Sequence, residues 1–275
     1  MGSLSTLVKL ALAEDAADTD LTAQATIAPE QSGTATLTAK ANGILSGVQA
    51  TRCVFESVDK DIAQAWAKQD GDNVHADDII CRISGPLRSL LAAERTALNF
   101  LQHLSGVATF TRTFVNAVAD TGCAIADTRK TTPGLRHLEK QAVLHGGGIN
   151  HRMDLSSGML IKENHIAAAG SLSQAIHMCS EAGYDVWVEA ECETMDEVHE
   201  AVSARPDIIL LDNMTLKAVR TARAIVPESI LLEASGNITL SNAREYAETG
   251  VDRLAIGAIT HSAPALDISM RVKAQ

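Results

Sequence analysis

The sequence has 275 residues, and its composition excludes several classes of protein. Hydrophobic residues make up 46% of the chain and charged residues 21%, which is typical of a globular protein and excludes a disordered one. The formal net charge of −11, together with an aromatic fraction of 3%, argues against a nucleic-acid partner bound by general electrostatics or by base stacking.

The sequence carries no signal for a membrane or for secretion. No apolar run approaches the roughly 20 residues that a membrane-spanning helix needs, and no basic segment precedes an apolar stretch near residue 1. The five cysteines lie far apart without a CxxC pair, so they fit neither a disulfide framework nor a zinc knuckle. We therefore expect reduced cysteines, a cytoplasmic location and no membrane partner.

Residues 1–110 predict a separate N-terminal domain. Residues 34–40 alternate apolar and polar side chains as a half-exposed strand does, and glycines separate several short elements after it. Residues 90–113 have the leucine spacing of a long amphipathic helix. We expect an α+β sandwich here, completed by the C-terminal residues 265–275.

From about residue 117 onward, short apolar runs alternate with helical stretches. The candidate strands are residues 123–126, 159–162, 186–190, 208–211, 230–234 and 253–256. They read as apolar on both faces, as parallel strands covered by helices require. Repeated units of roughly 20 to 25 residues favour an incomplete, TIM-like α/β barrel over residues 111–264. A Rossmann fold would need G-x-G-x-x-G after its first strand, and that sequence is missing.

A basic stretch follows the first barrel strands. Between Asp127 and His165 six Lys or Arg residues and four His accompany only four acids, in a chain that is acidic overall. Arg and Lys suit carboxylates and phosphates, so the stretch predicts a pocket for a small polyanion. A solvated run of surface charge is the alternative. The positions of Arg129 and Lys162 at strand ends, and the run Gly146–Gly148, favour the pocket.

Two carboxylates, Glu191 and Asp212, end neighbouring strands beside this basic stretch. Because Mg²⁺ prefers one or two carboxylates together with substrate oxygens and water, the pair is a candidate magnesium site. A general acid and base, or ion pairs with nearby lysines, are alternatives. His151 adjoins Arg152 and is either a ligand contact or a locally packed side chain. The sequence has no HxH, HExxH or G-x-S-x-G motif, which argues against zinc catalysis and covalent acyl chemistry.

Glycines follow the last two strands, at Ser235-Gly236 and at Gly257-Ala258. Barrels commonly bind phosphate there through backbone N–H groups. A glycine in a tight turn needs no ligand, so each loop alone is weak support for a phosphate site.

Separate motifs of this sequence resemble the quinolinate phosphoribosyltransferase family, in the family's order and along nearly the whole chain. They are Glu94 to Asn99, Ser105-Gly106, Thr128 to Arg136, Lys140, Gly146 to Gly148, Asn150 to Arg152, Leu160 to His165, Leu211 to Met214, Ser235-Gly236, Thr260-His261 and Leu266-Asp267. The resemblance implies transfer of phosphoribosyl from phosphoribosyl pyrophosphate (PRPP) to quinolinate with loss of CO₂. The products are nicotinate mononucleotide and pyrophosphate, the pathway is NAD synthesis, and Mg²⁺ is required.

The resemblance also implies roles for individual residues. Arg129, His151 and Arg152 would hold the carboxylates of quinolinate, with Lys162 close by. The implied catalytic residues are Lys130 and Lys162 against phosphates, and Glu191 and Asp212 against the ribose or Mg²⁺-pyrophosphate, in direct or indirect contact with the metal. Further substrate-binding residues are Arg95, Thr128, Ser235, Gly236, Asn237, Ala255, Ile256 and Gly257. In this family the counterpart of Arg95 enters the partner's pocket, which implies a homodimer or a higher oligomer.

Four positions depart from the family pattern. Thr19-Asp20-Leu21-Thr22 stands in place of Gly-Asp-x-Thr, Glu163 in place of Asp, Asn237 in place of a third glycine, and Ala255 in place of Ser. We expect Asn237 to keep a left-handed turn and to add a donor near the phosphate. Ala255 removes one contact to the 5′-phosphate.

Two rival functions remain at this point. One is the molybdenum-locus paralogue of the same fold, which the intact segment Leu160 to His165 disfavours. The other is a non-enzymatic sensor of a polyanionic metabolite. A pure anion sensor gains nothing from Glu191 and Asp212, so this pair disfavours it. Whether PRPP is consumed or merely bound separates an enzyme from a sensor.

Overall fold

The computed structural model describes residues 4–274. The chain divides into two compact units. The first comprises the residues up to Phe110, Pro133–Gly146 and the residues from Ala263 onward, and the second comprises Thr111–Thr132 and Gly147–Ser262. Among the described residues, no helix is both long and apolar enough to cross a membrane.

The first unit is a small α+β unit around a four-stranded antiparallel sheet. Its helices are α1 (Leu4–Glu14), a 3-10 turn (Ala17–Thr19), α2 (Leu21–Thr26), α3 (Val48–Val58), the larger part of α4 (Leu87–Ala117) and α5 (Arg136–His145). Its strands are β1 (Ser32–Ala39), β2 (Gly43–Ile44), β3 (Ala63–Trp66), β4 (Asn73–Val74), β5 (Ile79–Pro86) and β12 (Ile268–Ala274). The sheet order is β12-β1-β5-β3, and β2 pairs with β4.

The predicted strand and long helix of this unit are confirmed, with shifted ends. Strand β1 alternates buried and partly exposed residues, and its buried side chains are Ala35, Leu37 and Ala39. Helix α4 extends the predicted span by three residues at its start and four at its end. At the departure Thr19-Asp20, the Asp20 side chain caps α2 by accepting the Ala23 N–H at 2.9 Å, which satisfies a donor that the helix itself cannot pair.

The second unit contains a six-stranded parallel sheet. Its strands are β6 (Ala124–Ala126), β7 (Met159–Ile161), β8 (Val188–Cys192), β9 (Ile208–Asp212), β10 (Leu231–Ser235) and β11 (Arg253–Ala255). Their order is β6-β11-β10-β9-β8-β7, so β6 and β7 are its edges. Its helices are α6 (Glu163–Ala169), α7 (Leu172–Glu181), α8 (Met195–Ala204), α9 (Leu216–Ile225), α10 (Ala243–Ala247) and α11 (Ala258–His261). The predicted α/β fold class with parallel strands is confirmed.

Short polar caps start several of the helices that follow these strands. Thr194 and Glu197 form a capping box at α8, and Ser171 and Thr215 accept the N–H groups of Gln174 and Ala218 at α7 and α9. Such caps fix where each chain segment leaves a strand end and enters a helix. The strand ends therefore have a defined geometry on which a site can be built.

The expectation that every barrel strand is apolar on both faces is wrong for three of them. Glu189 in β8 and Glu233 in β10 are fully buried, and Arg253 in β11 is 9% exposed. Glu233 lies directly opposite Arg253 in the β10–β11 register. A buried charge is tolerated because its partner lies on the neighbouring strand, which the sequence of one strand alone cannot show.

The predicted reduced cysteines are confirmed, since all five are free thiols. Burial raises the pKa of the Cys81, Cys123 and Cys192 thiols to about 12. A thiol with so high a pKa is a poor nucleophile, so these three cysteines act as small core residues.

Candidate active site

The carboxyl ends of the parallel strands in the second unit enclose a cavity of about 640 Å³. Predicted site residues that line it are Thr128, Arg129, Lys130, His151, Arg152, Lys162, Glu191, Asp212, Ser235, Gly236, Asn237 and Ala255. Leu160, Leu210, Asn213 and Glu233 complete the lining. This volume suits a small organic ligand, and the strand ends are where barrels place active sites.

Two arginines on one wall of this cavity repel each other. Burial lowers the pKa of Arg152 first, and the neighbouring charge of Arg129 lowers it further, while Glu189 and Glu191 act in the opposite direction. Guanidinium Nη1 of Arg152 is held by the carbonyl oxygen of Gly158 at 3.0 Å. Two close guanidinium groups are stabilised by an anion that pairs with both, so this wall has the character of a carboxylate site.

Gly158, which holds Arg152, itself lies against an aromatic ring. A Cβ at this position would approach Trp187 Cζ2 to 2.4 Å. The same indole packs edge-on against the His151 ring, with ring centroids 5.3 Å apart. Any larger residue at 158 would therefore force either the Trp187 ring or the backbone that carries this carbonyl to shift.

The two lysines of the cavity are Lys162, which follows β7, and Lys130, which follows Arg129 beyond the end of β6. Lys162 forms an ion pair with Glu191 at the end of β8, and its backbone N–H donates to His165 Nδ1 at 3.0 Å. The Lys130 N–H donates to Thr128 Oγ1 at 3.0 Å, so Thr128 shapes the turn that carries this lysine. Together with the two arginines they give the cavity four cationic side chains.

The ends of β9 and β10 are joined by a chain of side-chain hydrogen bonds. Asn237 Nδ2 donates to Asn213 Oδ1 at 3.0 Å, and Asn213 Nδ2 donates to Asp212 Oδ2 at 2.7 Å. Asn237 adopts φ 51°, so the expected left-handed turn is kept, but its donor goes to Asn213. Gly236 must be glycine, because φ is 89° and a Cβ would lie 2.2 Å from Asn213 Oδ1.

Three predicted site residues do not line the cavity. Ile256 is buried, with a side chain 2% exposed, and its backbone N–H donates to Ala126 O at 2.9 Å. Gly257 lies behind Lys130, where a Cβ would approach Lys130 Cδ to 3.0 Å. Arg95 is exposed on α4 in the first unit. Gly257 therefore makes room for a lysine of the site, and Ile256 fixes the backbone beside it.

The basic stretch predicted from the sequence is split by the fold. Arg136, Lys140 and His145 lie on α5, which belongs to the first unit. Lys140 is fully buried, and His145 Nδ1 is 2.9 Å from Ser46 Oγ. The sequence allowed two descriptions of this basic stretch, a pocket for a polyanion and a solvated run of surface charge. Neither describes all of it, because only some of its residues lie at the strand ends.

Sequence reasoning missed three buried charged side chains at the floor of the cavity, Glu189, Glu233 and Arg253, of which Glu233 also lines it. The buried quartet consists of His151, Glu189, Glu233 and Arg253. His151 Nε2 lies 2.9 Å from Glu189 Oε2 and 3.6 Å from Glu233 Oε1. Arg253 pairs with Glu233 through Nε, and its Nη2 lies 3.5 Å from Glu189 Oε1. A charged residue inside a predicted buried strand is the signal that could have revealed them.

Of the two pairs of carboxylates in this unit, Glu191 and Asp212 suit a magnesium ion better than Glu189 and Glu233. Asp212 and Glu191 face the same cavity as the four cations, and Mg²⁺ needs only one or two carboxylates when substrate oxygens and water fill its other positions. His151, Glu189 and Glu233 also offer ligand atoms within 4.8 Å of one another. There, however, both glutamates are fully buried, whereas Glu191 and Asp212 are partly exposed to the cavity from which water and substrate oxygens would complete the coordination. The chemistry of the donor set thus favours Asp212 and Glu191.

Parallel strands that present four cations and two carboxylates at one sheet edge define an enzyme that acts on small, multiply charged anions. Comparison with known proteins makes this specific. Residues 20–105 match the model of the quinolinate phosphoribosyl transferase N-terminal domain, and residues 107–271 match that of the C-terminal domain. The chain belongs to the quinolinate phosphoribosyltransferase family.

Individual relatives agree with this assignment. A Bacillus subtilis (strain 168) protein named "Probable nicotinate-nucleotide pyrophosphorylase (carboxylating)" is 44% identical over 260 residues, which are 94% of this chain and 90% of the relative. The Mycobacterium leprae (strain TN) carboxylating nicotinate-nucleotide pyrophosphorylase is 39% identical over 91% of this chain and 90% of its own. The structure of the Francisella tularensis enzyme has a TM-score of 0.94 at 39% identity, covering 98% and 96% of the two chains. The predicted family and phosphoribosyltransferase class are confirmed.

Proposed function

We propose that the cavity binds quinolinate and PRPP together and converts them to nicotinate mononucleotide, pyrophosphate and CO₂. The observation that carries this proposal is the pair of mutually repelling guanidinium groups, Arg129 and Arg152, beside two lysines and two carboxylates in one cavity. A dicarboxylate neutralises the arginines, and a pyrophosphate ester pairs with the lysines. The relatives are named for the same nucleotide and the same loss or gain of a carboxyl group.

Quinolinate carries two adjacent carboxylates on a pyridine ring, and the arginine wall suits them. The planar guanidinium group of Arg152 donates to Gly158 O at 3.0 Å, and its remaining N–H groups can donate to a carboxylate of the ligand. Leu160 and Leu210 supply apolar surface for the ring.

PRPP is assigned to the cavity residues outside the quinolinate site. Its 5′-phosphate is assigned to the loops after β10 and β11, at Ser235, Gly236 and Asn237 and at Ala255, Ile256 and Gly257. Its pyrophosphate is assigned to Lys130 and Lys162, and its ribose to Asp212 and Glu191. These two carboxylates would also hold Mg²⁺, which when bound neutralises the charge of the departing pyrophosphate.

The chain's own residues contribute positioning and electrostatic stabilisation. The ring nitrogen forms a bond to the anomeric carbon as the carbon–oxygen bond to pyrophosphate breaks, and Lys130 and Lys162 stabilise the charge that develops on the leaving group. The nitrogen then carries a positive charge. That charge stabilises the electron pair that stays on the adjacent carbon when its carboxylate leaves as CO₂, and the carbon then uses this pair to take up a proton. Glu191, paired with Lys162 before substrate enters, releases the lysine for the phosphate.

We also propose that the working unit is a homodimer, or a higher oligomer, in which Arg95 enters the partner's cavity. Its exposed position on α4 supports this role. A cytoplasmic location is proposed as well, and the five free thiols support it.

A product assay tests the reaction directly. Purified protein is incubated with quinolinate, PRPP and Mg²⁺, while nicotinate mononucleotide and CO₂ are quantified together, and nicotinic acid replaces quinolinate in a parallel reaction. We expect equal amounts of both products from quinolinate and none from nicotinic acid. Binding of PRPP without its consumption would contradict the reaction and would favour a metabolite sensor.

Subunit mixing tests the role of Arg95. Arg95→Ala and Arg152→Ala should each lose most of their activity, but a mixed dimer regains one intact site. Activity that returns when the two variants are unfolded and refolded together supports a shared site. No return of activity, although mixed dimers form, contradicts the assignment of Arg95.

A further inference from the structure

The turn after β6, residues 127–130, carries three side chains of the cavity. Thr128, Arg129 and Lys130 all line it, yet none of them belongs to a helix or a strand. A segment without regular secondary structure has no ladder of backbone hydrogen bonds, so its position depends on individual bonds to its neighbours. Those bonds decide where the side chain of Lys130 is directed.

Hydrogen bonds from the end of β11 and from α11 hold this turn at both of its ends. At its start, the Ile256 N–H donates to Ala126 O at 2.9 Å. At its end, the hydroxyl of Thr260 donates to Lys130 O at 2.7 Å. Because the Lys130 N–H donates to Thr128 Oγ1 at 3.0 Å, the N–H and the C=O of this lysine are both held.

The hydroxyl of Thr260 has one proton to donate and two carbonyl oxygens nearby. Its Oγ1 lies 3.1 Å from Gly257 O and 2.7 Å from Lys130 O. The Gly257 carbonyl already receives the Thr260 backbone N–H at 3.1 Å, and Lys130 O is the nearer acceptor, so we assign the proton to Lys130 O. Thr260 is 1% exposed and is not part of the cavity lining, so it acts on the site only through the residues that it holds.

The side chain of Lys130 packs against the same segment. A Cβ at Gly257 would lie 3.0 Å from Lys130 Cδ, so the lysine stem rests on the glycine backbone three residues before Thr260. A lysine side chain loses much rotamer freedom when it is ordered. A held carbonyl and a packed stem reduce the freedom that is left to lose when a phosphate binds, and a pre-ordered cation binds its ligand more tightly.

We propose that Thr260 is a positioning residue: its hydroxyl anchors the backbone of Lys130, so that the ammonium group of this lysine is directed at the pyrophosphate of PRPP before the ligand enters. This inference rests on the proposed function for the identity of the ligand. The same hydroxyl links the loop assigned to the 5′-phosphate, residues 255–257, to the lysine assigned to the pyrophosphate.

Two variants separate the hydroxyl of Thr260 from its shape. Thr260→Val keeps the branched shape and lacks the donor, whereas Thr260→Ser keeps the donor and lacks the methyl group. Calorimetric titration with PRPP, in the absence of quinolinate, measures affinity without turnover. We expect PRPP to bind about tenfold more weakly to Thr260→Val, as the loss of one hydrogen bond implies. Thr260→Ser should stay within about threefold of the unmodified protein by the same scale, and so should the affinity of both variants for quinolinate.

Thr249→Val is the matched control. The hydroxyl of Thr249 donates to Tyr246 O at 2.5 Å, and this residue is 7% exposed, so the variant loses the same kind of buried bond. Thr249 precedes β11, at the edge of the sheet opposite the cavity. We expect Thr249→Val to lower thermal stability about as much as Thr260→Val does and to leave the affinity for PRPP unchanged.

A double variant tests whether Thr260 acts through Lys130. Lys130→Met removes the ammonium group, so adding Thr260→Val to it should weaken PRPP binding by less than about twofold, since the two changes remove the same interaction. A further tenfold loss in the double variant would mean that Thr260 acts on another group, and it would overturn the proposal.

Three results with the single variants would overturn it as well. They are unchanged affinity for PRPP in Thr260→Val, equal losses in Thr260→Val and Thr260→Ser, and equal losses of affinity for quinolinate and for PRPP. If Thr260→Val does not fold, Thr260→Ala takes its place, because alanine also lacks the donor. Failure of the proposed function is distinguishable, because the unmodified protein then forms no nicotinate mononucleotide.

Discussion

Two sets of charged side chains in the second unit differ in how their charges are balanced. The upper layer is the set that lines the cavity, and the lower layer is the buried quartet. The upper layer presents four cations to an open cavity, and two of them, Arg129 and Arg152, repel each other. The lower layer pairs Arg253 with Glu233 and Glu189 away from water. An excess of one charge in the cavity marks the place where a ligand supplies the other charge, whereas a buried and internally paired set maintains the geometry of the sheet.

Removing the cation of the lower layer should have the largest effect on stability. Arg253→Met leaves the charge of Glu189 without its positive partner in the interior and removes the donor to Glu233, and breaking a buried pair in this way typically costs about 3–5 kcal/mol. Urea unfolding measures the change. Arg244→Met is the control, because the ion pair of Arg244 with Glu248 is half exposed and should contribute at most about 1 kcal/mol. Equal effects of the two substitutions would show that the buried pairing does not maintain the fold.

Removing a cation of the upper layer should affect catalysis and leave the fold intact. Arg152→Ala deletes a charge-assisted contact to a carboxylate, so kcat/KM for quinolinate should fall about a hundredfold or more. Steady-state kinetics and a thermal unfolding curve check both parts of this expectation. Arg220→Ala, on the exposed face of α9, is the matched control. Unchanged kinetics in Arg152→Ala would remove this residue from the quinolinate site.

The pH dependence of stability should report Glu233. Its carboxyl pKa is about 8 in the folded chain against an ordinary value of 4.5, so between these values the folded state binds one more proton than the unfolded state. Stability should therefore fall as pH rises through this window. The charged groups facing Glu233 are Glu189, Arg253 and Asp127, and His151 lies beside it.

The variant Glu233→Gln keeps a neutral side chain and should remove this part of the pH dependence. Urea unfolding at several pH values between about 5 and 9 should show the variant gaining stability relative to the unmodified protein as pH rises. Glu245→Gln, at an exposed position of α10, should follow the unmodified protein. A Glu233→Gln curve parallel to that of the unmodified protein would mean that Glu233 is ionised throughout.

The smallest effect is expected for the hydrogen bonds that link Asn237, Asn213 and Asp212 at the ends of β9 and β10. Asn237→Gly keeps the left-handed turn but removes the donor to Asn213, which in turn holds Asp212. The lost bond is exposed, so the KM for PRPP should rise only about threefold and stability should change by less than about 0.5 kcal/mol. Kinetics with PRPP as the varied substrate check this. An unchanged KM would mean that Asp212 needs no support from Asn237.

The sequence predicted well whatever depends on local pattern. Strands such as β9 and β11 were placed within one residue at each end, because parallel strands covered by helices are short apolar runs. The same reasoning predicts that Arg129, Lys162, Glu191 and Asp212 meet at the strand ends, and all four line one cavity there.

What depends on partners far along the chain could not be predicted. Glu233 and Arg253 lie 20 residues apart and meet only in the β10–β11 register. The donor of Asn237 goes to Asn213 because two loops come together, which no single loop reveals. The ring of His151 faces inward because Glu189 and Glu233 lie below it, and a histidine beside an arginine in sequence gives no such direction.

Calorimetric titration with quinolinate and with nicotinate measures whether the cavity is built for a dianion, because the two ligands differ by one carboxylate. If the upper layer is matched by a dianion, quinolinate should bind about a hundredfold more tightly than nicotinate. This preference should shrink in Arg152→Ala. Equal affinity for the two ligands would contradict the account, because the excess charge of the cavity would then not be built for two adjacent carboxylates.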